Sequence, residues 1–285
     1  MDWLNAMAGL GVGVMVGLTG VGGGALMTPI LVLLFGVAPA LAVGTDLWFA
    51  AITKLVGGTV HHRTGSVDWQ VVRRLCAGSL PASVATLLVL HALGAGAIEH
   101  GLIVHGLIVH GLIVHGLIVH GLIVHGLIVH GLGAVLLLTA LAMLAKKRLH
   151  AVGQALRSHA PAEFKRAQPA LTVAAGALLG RLVTLTSVGA GALGAVMLVY
   201  LYPFRMKPNR LVGTDIVHAV PLTLVAGSGH LLMGNVDFAL LGQLLAGSIP
   251  GIVIGSLLAY RTPEAWLRKG IAFVLAAVSL KLLLG

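Results

Sequence analysis

The sequence predicts an all-α integral membrane protein made of two homologous halves, each a broken, re-entrant, glycine-interrupted segment followed by three transmembrane helices. Three observations predict it. Composition is the first: 58% of residues are hydrophobic and 9% charged, with mean hydropathy +1.03, which leaves too little polar surface to coat a soluble globule. Periodicity is the second: runs of about 20 apolar residues, long enough to span the hydrocarbon as helices, recur between short polar loops without strand-like alternation. Duplication is the third. With a constant offset of 169, Val43, Gly44, Thr45 and Asp46 fall on Val212, Gly213, Thr214 and Asp215, and His61 falls on His230. The same offset places Gly65, Val67 and Asp68 on Gly234, Val236 and Asp237, and Gly78, Ser79 and Pro81 on Gly247, Ser248 and Pro250. Two halves with matching interrupted segments are the sequence signature of a repeat-built transporter.

In chain order the pattern predicts a broken segment over residues 4–35, a helix over 41–60, a polar loop over 61–68, a helix over 71–93 and a third helix closing at about Ala145. A basic linker follows. It carries Lys146, Lys147, Arg148, Arg157, Lys165 and Arg166. The pattern then restarts with a broken segment over 170–201 and helices over 211–229, 237–259 and 269–284. The division is therefore 1–146 for the first half, 147–169 for a cytoplasmic linker and 170–285 for the second half. No basic region precedes the first apolar run, so no cleavable signal peptide is expected. The single cysteine, Cys76, excludes an intrachain disulfide.

Residues 101–130 hold six tandem copies of the pentapeptide Gly-Leu-Ile-Val-His. Across them the offset between halves falls from 169 to 139, so the array reads as a 30-residue expansion inside an otherwise ordinary helix. A histidine every five residues advances about 140° per step on a helix, so the imidazoles share no face and do not form i,i+3 or i,i+4 ligand pairs. No metal site and no cofactor is expected. One continuous helix from Gly101 to Ala145 would run roughly 68 Å and overshoot the bilayer.

Fifteen of the 18 lysines and arginines fall in four places: the loop after His61, the central linker, residues 205–210 and residues 261–269. All four can stay cytoplasmic, as basic loops do, only if each broken segment enters and leaves on the same side or crosses twice. The halves are then inverted, with both termini extracytoplasmic. The basic residues lie in separate loops without aromatic interleaving, so the net charge of +10 reads as topology and not as a nucleic-acid surface.

The two glycine-rich breaks are the candidate site. Leu18 to Leu26 contains Thr19, Gly20, Gly22, Gly23 and Gly24; its echo, Leu185 to Leu193, contains Thr186, Ser187, Gly189 and Gly191. Glycine costs roughly 1 kcal/mol per residue in a helix interior, and unwound backbone survives in lipid only where it is buried in protein or lines a cavity. Half-helices starting near Ala25 and Ala192 would point unpaired N–H groups and a positive dipole end at an anion, with the Thr and Ser hydroxyls beside them. The competing reading is close helix packing, because Gly13, Gly17, Gly20 and Gly24 have small-residue spacing. Lys54 and Arg181 are cations expected at depth, able either to neutralise an anion or to pair with an aspartate. Asp46 and Asp215 serve as helix caps, as ion-pair partners or as proton-coupling groups. His61 and His230 sit at matched loop ends, as gates, relays or interfacial hydrogen-bonding groups, and His218 can share a helix face with Asp215. No His-Glu-x-x-His, serine elbow or Cys/His ligand spacing points to an intramembrane enzyme.

These motifs together, Gly20 to Gly24, the doubled Gly-Thr-Asp, Thr184 to Leu193 and Gly247 to Gly251, resemble the sulfite exporter TauE/SafE family, the TSUP permeases. The resemblance covers nearly the whole chain outside 101–130. It implies a multi-pass permease of the cell (inner, cytoplasmic) membrane that moves a small anionic solute, such as sulfite or sulfoacetate, often outward. The accompanying expectation is alternating access by rocking of the halves, with protons as a candidate coupling ion. Uptake of another organic anion, or a non-transporting scaffold role, are the alternatives.

Overall fold

A computed structural model of the chain describes residues 3–19, 24–63, 65–103, 110–159, 161–259 and 264–284. They form ten helices with no strand among the described residues: α1 (Trp3–Thr19), α2 (Gly24–Leu33), α3 (Pro39–Arg63), α4 (Trp69–Ile103), α5 (His110–His159), α6 (Pro161–Thr186), α7 (Ala192–Leu201), α8 (Pro208–Leu232), α9 (Phe238–Ala259) and α10 (Glu264–Leu284). Six are long and apolar enough to cross a membrane, within α3, α4, α5, α6, α8 and α9. The chain is an all-helical, multi-pass membrane protein.

The second glycine-rich segment is an interrupted helix. In it, α6 stops at Thr186 and α7 starts at Ala192. Tyr202, just past α7, returns to the first half of α6, where its hydroxyl lies 2.8 Å from Thr172 Oγ1. The adjacent Leu201 carbonyl accepts from Gln168 Nε2. Thus α6 and α7 form a hairpin in which the end of α7 lies level with residues 168–172 of α6. In the first segment α1 ends at Thr19 and α2 begins at Gly24; Gly20, Gly22 and Gly23 lie outside the described residues.

Helices α3 and α8 run antiparallel through the centre. Gly213 near the start of α8 faces His61 near the end of α3, and Gly44 near the start of α3 faces His230 near the end of α8. Matching contacts recur at the sequence offset. Thr214 Oγ1 accepts from Asp68 N at 3.0 Å, and Thr45 Oγ1 accepts from Asp237 N at 3.1 Å. Each of these aspartates also caps the following helix, through Val71 N at 3.4 Å and Leu240 N at 2.9 Å. An aspartate that accepts first-turn amides satisfies donors that the helix itself cannot.

The packing exchanges elements between halves. The most extensive interfaces join α1 to α9 and α6 to α4, and glycine makes both possible. A Cβ on Gly9 would sit 3.0 Å from Leu244 Cα and one on Gly13 2.8 Å from Ser248 Cα; the counterparts are Gly176 at 3.1 Å from Leu75 Cα and Gly180 at 2.9 Å from Ser79 Cα. Gly13 is therefore a packing residue. Small residues let transmembrane backbones meet where lipid gives apolar side chains no preference for one another.

Two segments differ from expectation. Residues 147–169, read as a linker, are helical apart from residue 160, which lies outside the described residues. They continue α5 to His159, not Ala145, and open α6 at Pro161. Local propensity and tertiary anchors explain it: His150 bonds Pro203 O at 3.0 Å, and Gly153 packs on the backbone of Tyr200. Of the pentapeptide array, residues 104–109 lie outside the described residues; the remainder extends α4 to Ile103 and begins α5 at His110. With 50 residues, α5 is about 75 Å long.

Candidate functional site

Polar groups buried by the bundle converge on the break between α6 and α7. Residues 187–191 are all buried. Thr186 closes α6, its Oγ1 donating to Leu182 O at 2.7 Å and accepting from Val188 N at 3.2 Å. The chain then passes through positive φ at Ser187 (59°), Gly189 (120°) and Gly191 (133°). Glycine reaches the last two values at no steric cost, which is why the motif carries glycine there. Helix α7 begins with Gly194 N bonded to Gly189 O at 3.2 Å and Ala195 N to Gly191 O at 3.1 Å. The amides of Ala192 and Leu193 belong to its first turn, which a helix cannot satisfy internally.

Lys54, on α3, reaches this break. It is 6% exposed, and its Nζ donates to Ala190 O at 2.9 Å. The ammonium is within electrostatic reach of Asp46 and Asp215. Asp46 is fully buried and accepts from Thr28 Oγ1 of α2 at 2.6 Å. The Ser187 hydroxyl lies beside this carboxylate. Asp215, on α8, rests against the first turn of α7: a Cβ on Gly194 would fall on its Oδ1, which lacks a hydrogen-bond partner among the described residues. A carboxylate at a helix amino end gains about 0.3–1 kcal/mol from the dipole. This cluster of two carboxylates and one ammonium, if all are ionised, holds one uncompensated negative charge inside the bilayer, where charge is costly.

A second polar layer lies between α4, α6 and α8. Ser79 Oγ is 2.9 Å from His218 Nε2, and Ser83 Oγ is 2.7 Å from Thr184 Oγ1. His230 Nε2 lies 2.9 Å from Thr184 O; a carbonyl can only accept, so this nitrogen carries the proton. The Nδ1 atoms of His218 and His230 are buried and without a hydrogen-bond partner among the described residues. The offset counterpart of His230 is placed differently: His61 is half-buried and pairs through Nδ1 with Ser66 Oγ at 2.8 Å.

The structure thus gathers Lys54, Asp46, Asp215, Ser187, Gly189 and Gly191 around one break, with Thr186, His218 and His230 close behind. Arg181 is a correction. It is exposed on α6, because the adjacent Gly180 turns its face into α4, so it does not join Lys54. Thr19 ends α1 and Gly24 starts α2. His61 stands at the far end of α3 from His230. Sequence reasoning missed Thr28, Ser83 and Gly194, and it used Ser79 only as a marker of register. The Gly78–Ser79 and Gly247–Ser248 match contained the signal for Ser79, whereas nothing local marked Thr28. No group of three or more His, Cys, Asp or Glu residues is assembled to hold a metal among the described residues.

Comparison with known proteins follows the same line. The chain is 38% identical over 238 residues to the probable membrane transporter protein YjnA of Bacillus subtilis (strain 168), covering 82% of this chain and 81% of that protein. It is 26% identical over 237 residues to the probable membrane transporter protein YdhB of the same organism, covering 80% and 78%. A shorter match, 37% identical over 68 residues, joins it to the probable membrane transporter protein YunE, also of B. subtilis (strain 168), covering 24% and 25%. No solved structure matches the chain significantly. The model of the family described as sulfite exporter TauE/SafE matches residues 5–282, and with its helices, broken segments and buried charges so arranged, the chain belongs to the sulfite exporter TauE/SafE family.

Proposed function

We propose that this membrane transporter is a secondary permease for a small anion, a sulfur oxyanion or organosulfonate such as sulfite or sulfoacetate, moved outward across the cytoplasmic membrane by alternating access. The observation that carries the reading is the Lys54 ammonium held 2.9 Å from Ala190 O inside a buried helix break. A cation, the first turn of α7 and the Ser187 hydroxyl share that place, and each favours an oxyanion. Asp215 occupies the amino end of α7 as an internal anion. Substrate entry adds negative charge to a cluster that already has an excess, so a proton taken up by Asp46 or Asp215 offsets it and leaves Lys54 for the substrate. Protons are the coupling ion on this reading.

Access alternates along the antiparallel α3–α8 pair. His230 is buried against Thr184 O while His61 is half-exposed, so the two matched ends differ in closure, as one state of an exchange requires. Because α1 packs on α9 and α6 on α4, each moving body on this reading combines elements of both halves.

Reconstituted protein assayed for flux of sulfite, sulfoacetate, thiosulfate and small carboxylates, with and without a pH gradient, tests the proposal. Flux of one sulfur anion that responds to the gradient is the expected result. Flux in the inward orientation alone would convert the reading to uptake, and absence of flux for every anion would leave a scaffold role.

A further inference from the structure

Beside the buried site, a lateral groove of about 670 Å³ opens between α3, α4 and α8. Its walls are apolar, with Leu55 and Gly58 from α3, Val72 from α4, and Val217 and Pro221 from α8; its mouth carries His62, Arg63 and Trp69. Leu55 to Arg63 spans about 12 Å along the last turns of α3, so the groove runs from the apolar part of a membrane span to its end.

The repeat offset explains why the groove exists. Val217 is the counterpart of Trp48, and Gly58 that of Gly227. At the other site the Trp48 indole lies against Gly227, Nε1 donating to Gly227 O at 3.0 Å. At Gly58 the three heavy atoms nearest to a Cβ placed there are methyls of Val217, Val220 and Ile216, at 3.7, 3.8 and 3.9 Å. One site is filled by an indole; at the other a smaller isopropyl group takes its place and lines the groove.

A groove with apolar walls inside a bilayer fills with hydrocarbon. Its mouth adds charge. His62 and Arg63 are exposed, and Trp69 is 46% exposed and meets His62 edge-on at 5.5 Å, in the manner of an interfacial aromatic. The carboxylate of the adjoining turn, Asp68, does not neutralise Arg63, because Arg205 grips it through two hydrogen bonds and Arg210 approaches to 3.7 Å. Arg73 and Arg74 add positive charge in the first turns of α4, and Lys207 adds it at the start of α8.

We infer that this groove is a binding site for an anionic phospholipid, one acyl chain lying along Leu55, Val72 and Val217 and the headgroup phosphate at Arg63 and His62. The site is specific to one end of the molecule, since its counterpart is occupied by Trp48.

The test uses the purified full-length protein, delipidated in detergent and titrated with dioleoylphosphatidylglycerol or dioleoylphosphatidylcholine, with retained lipid counted by native mass spectrometry. Wild type should retain one phosphatidylglycerol in preference to phosphatidylcholine by about five-fold, the effect of one basic residue near an anionic headgroup. Arg63→Gln should remove the preference but keep a lipid. Val217→Trp, which copies the filled counterpart, should lose the adduct; Gly58→Leu blocks the same space if the tryptophan variant does not fold. Inorganic phosphate should not displace the lipid. Equal retention of the two lipids by wild type, displacement by phosphate, or an undiminished adduct in the folded groove-filling variant would each overturn the inference.

Discussion

Replacing Lys54 with methionine removes one charge from the centre of the bundle while keeping the side chain's length and most of its volume. Two effects follow from the structure. The bond from Nζ to Ala190 O at 2.9 Å is lost, and a hydrogen bond to a charged group contributes about 1.5–3 kcal/mol. If the same ammonium holds substrate, affinity falls by about 10- to 100-fold. Asp46 and Asp215, both buried, also lose their shared cation, and removing one partner from a buried ionic set costs about 3–5 kcal/mol. Flux in proteoliposomes, measured against substrate concentration, and thermal unfolding in detergent separate the two. Lys54→Met should raise KM and lower the melting temperature. Adding Asp215→Asn restores the wild-type charge count, so the double variant should recover much of the stability but not the flux. Wild-type transport by folded Lys54→Met protein would refute the assignment of the break as the site. Recovery of transport in the double variant would reduce Lys54 to an ion-pair partner.

Further outcomes are expected elsewhere. Gly194→Ala puts a methyl group on the Asp215 carboxylate and should destabilise by about 1–3 kcal/mol, as overpacking does, with transport lost; thermal unfolding and flux measure both. Cysteines placed at Gly65 and Gly234, in a Cys76→Ser background, should be labelled from opposite sides of the membrane, because those turns cap opposite ends of the antiparallel α3–α8 pair. Their surroundings are open, although both positions have positive φ (64° and 76°). Deleting residues 101–130 restores the offset-matched length of the first half, so the shortened chain should insert and unfold cooperatively near the wild-type temperature; failure to insert would make the array structural.

Much of the fold was legible before any coordinates. Hydropathy located α3, α8 and α9 to within a few residues, since a span must satisfy its backbone internally and stay apolar for about 20 residues. The helix break at residues 187–191 was legible because glycine marks where a helix cannot continue cheaply. The helical course of 147–159 and 161–169 was not: its charges read as a linker, while contacts such as His150 with Pro203 O hold it as helix ends. Arg181 shows the same limit. Its sequence depth suggested a buried charge, but the rotation of α6, set by Gly180 against Ser79, turns it outward.

By itself, the sequence determined that this chain is a helical membrane protein with matched motifs, where its second glycine-rich segment breaks, and which few ionisable residues sit among apolar ones. Only the tertiary structure decided which of those residues meet. Lys54 and Ala190 are 136 positions apart, and what joins them is the packing of α3 against the second hairpin. Periodicity reports the environment of a segment along its own axis; the rotation and partner of each helix are fixed by side chains and glycine contacts on other segments, which no local pattern encodes.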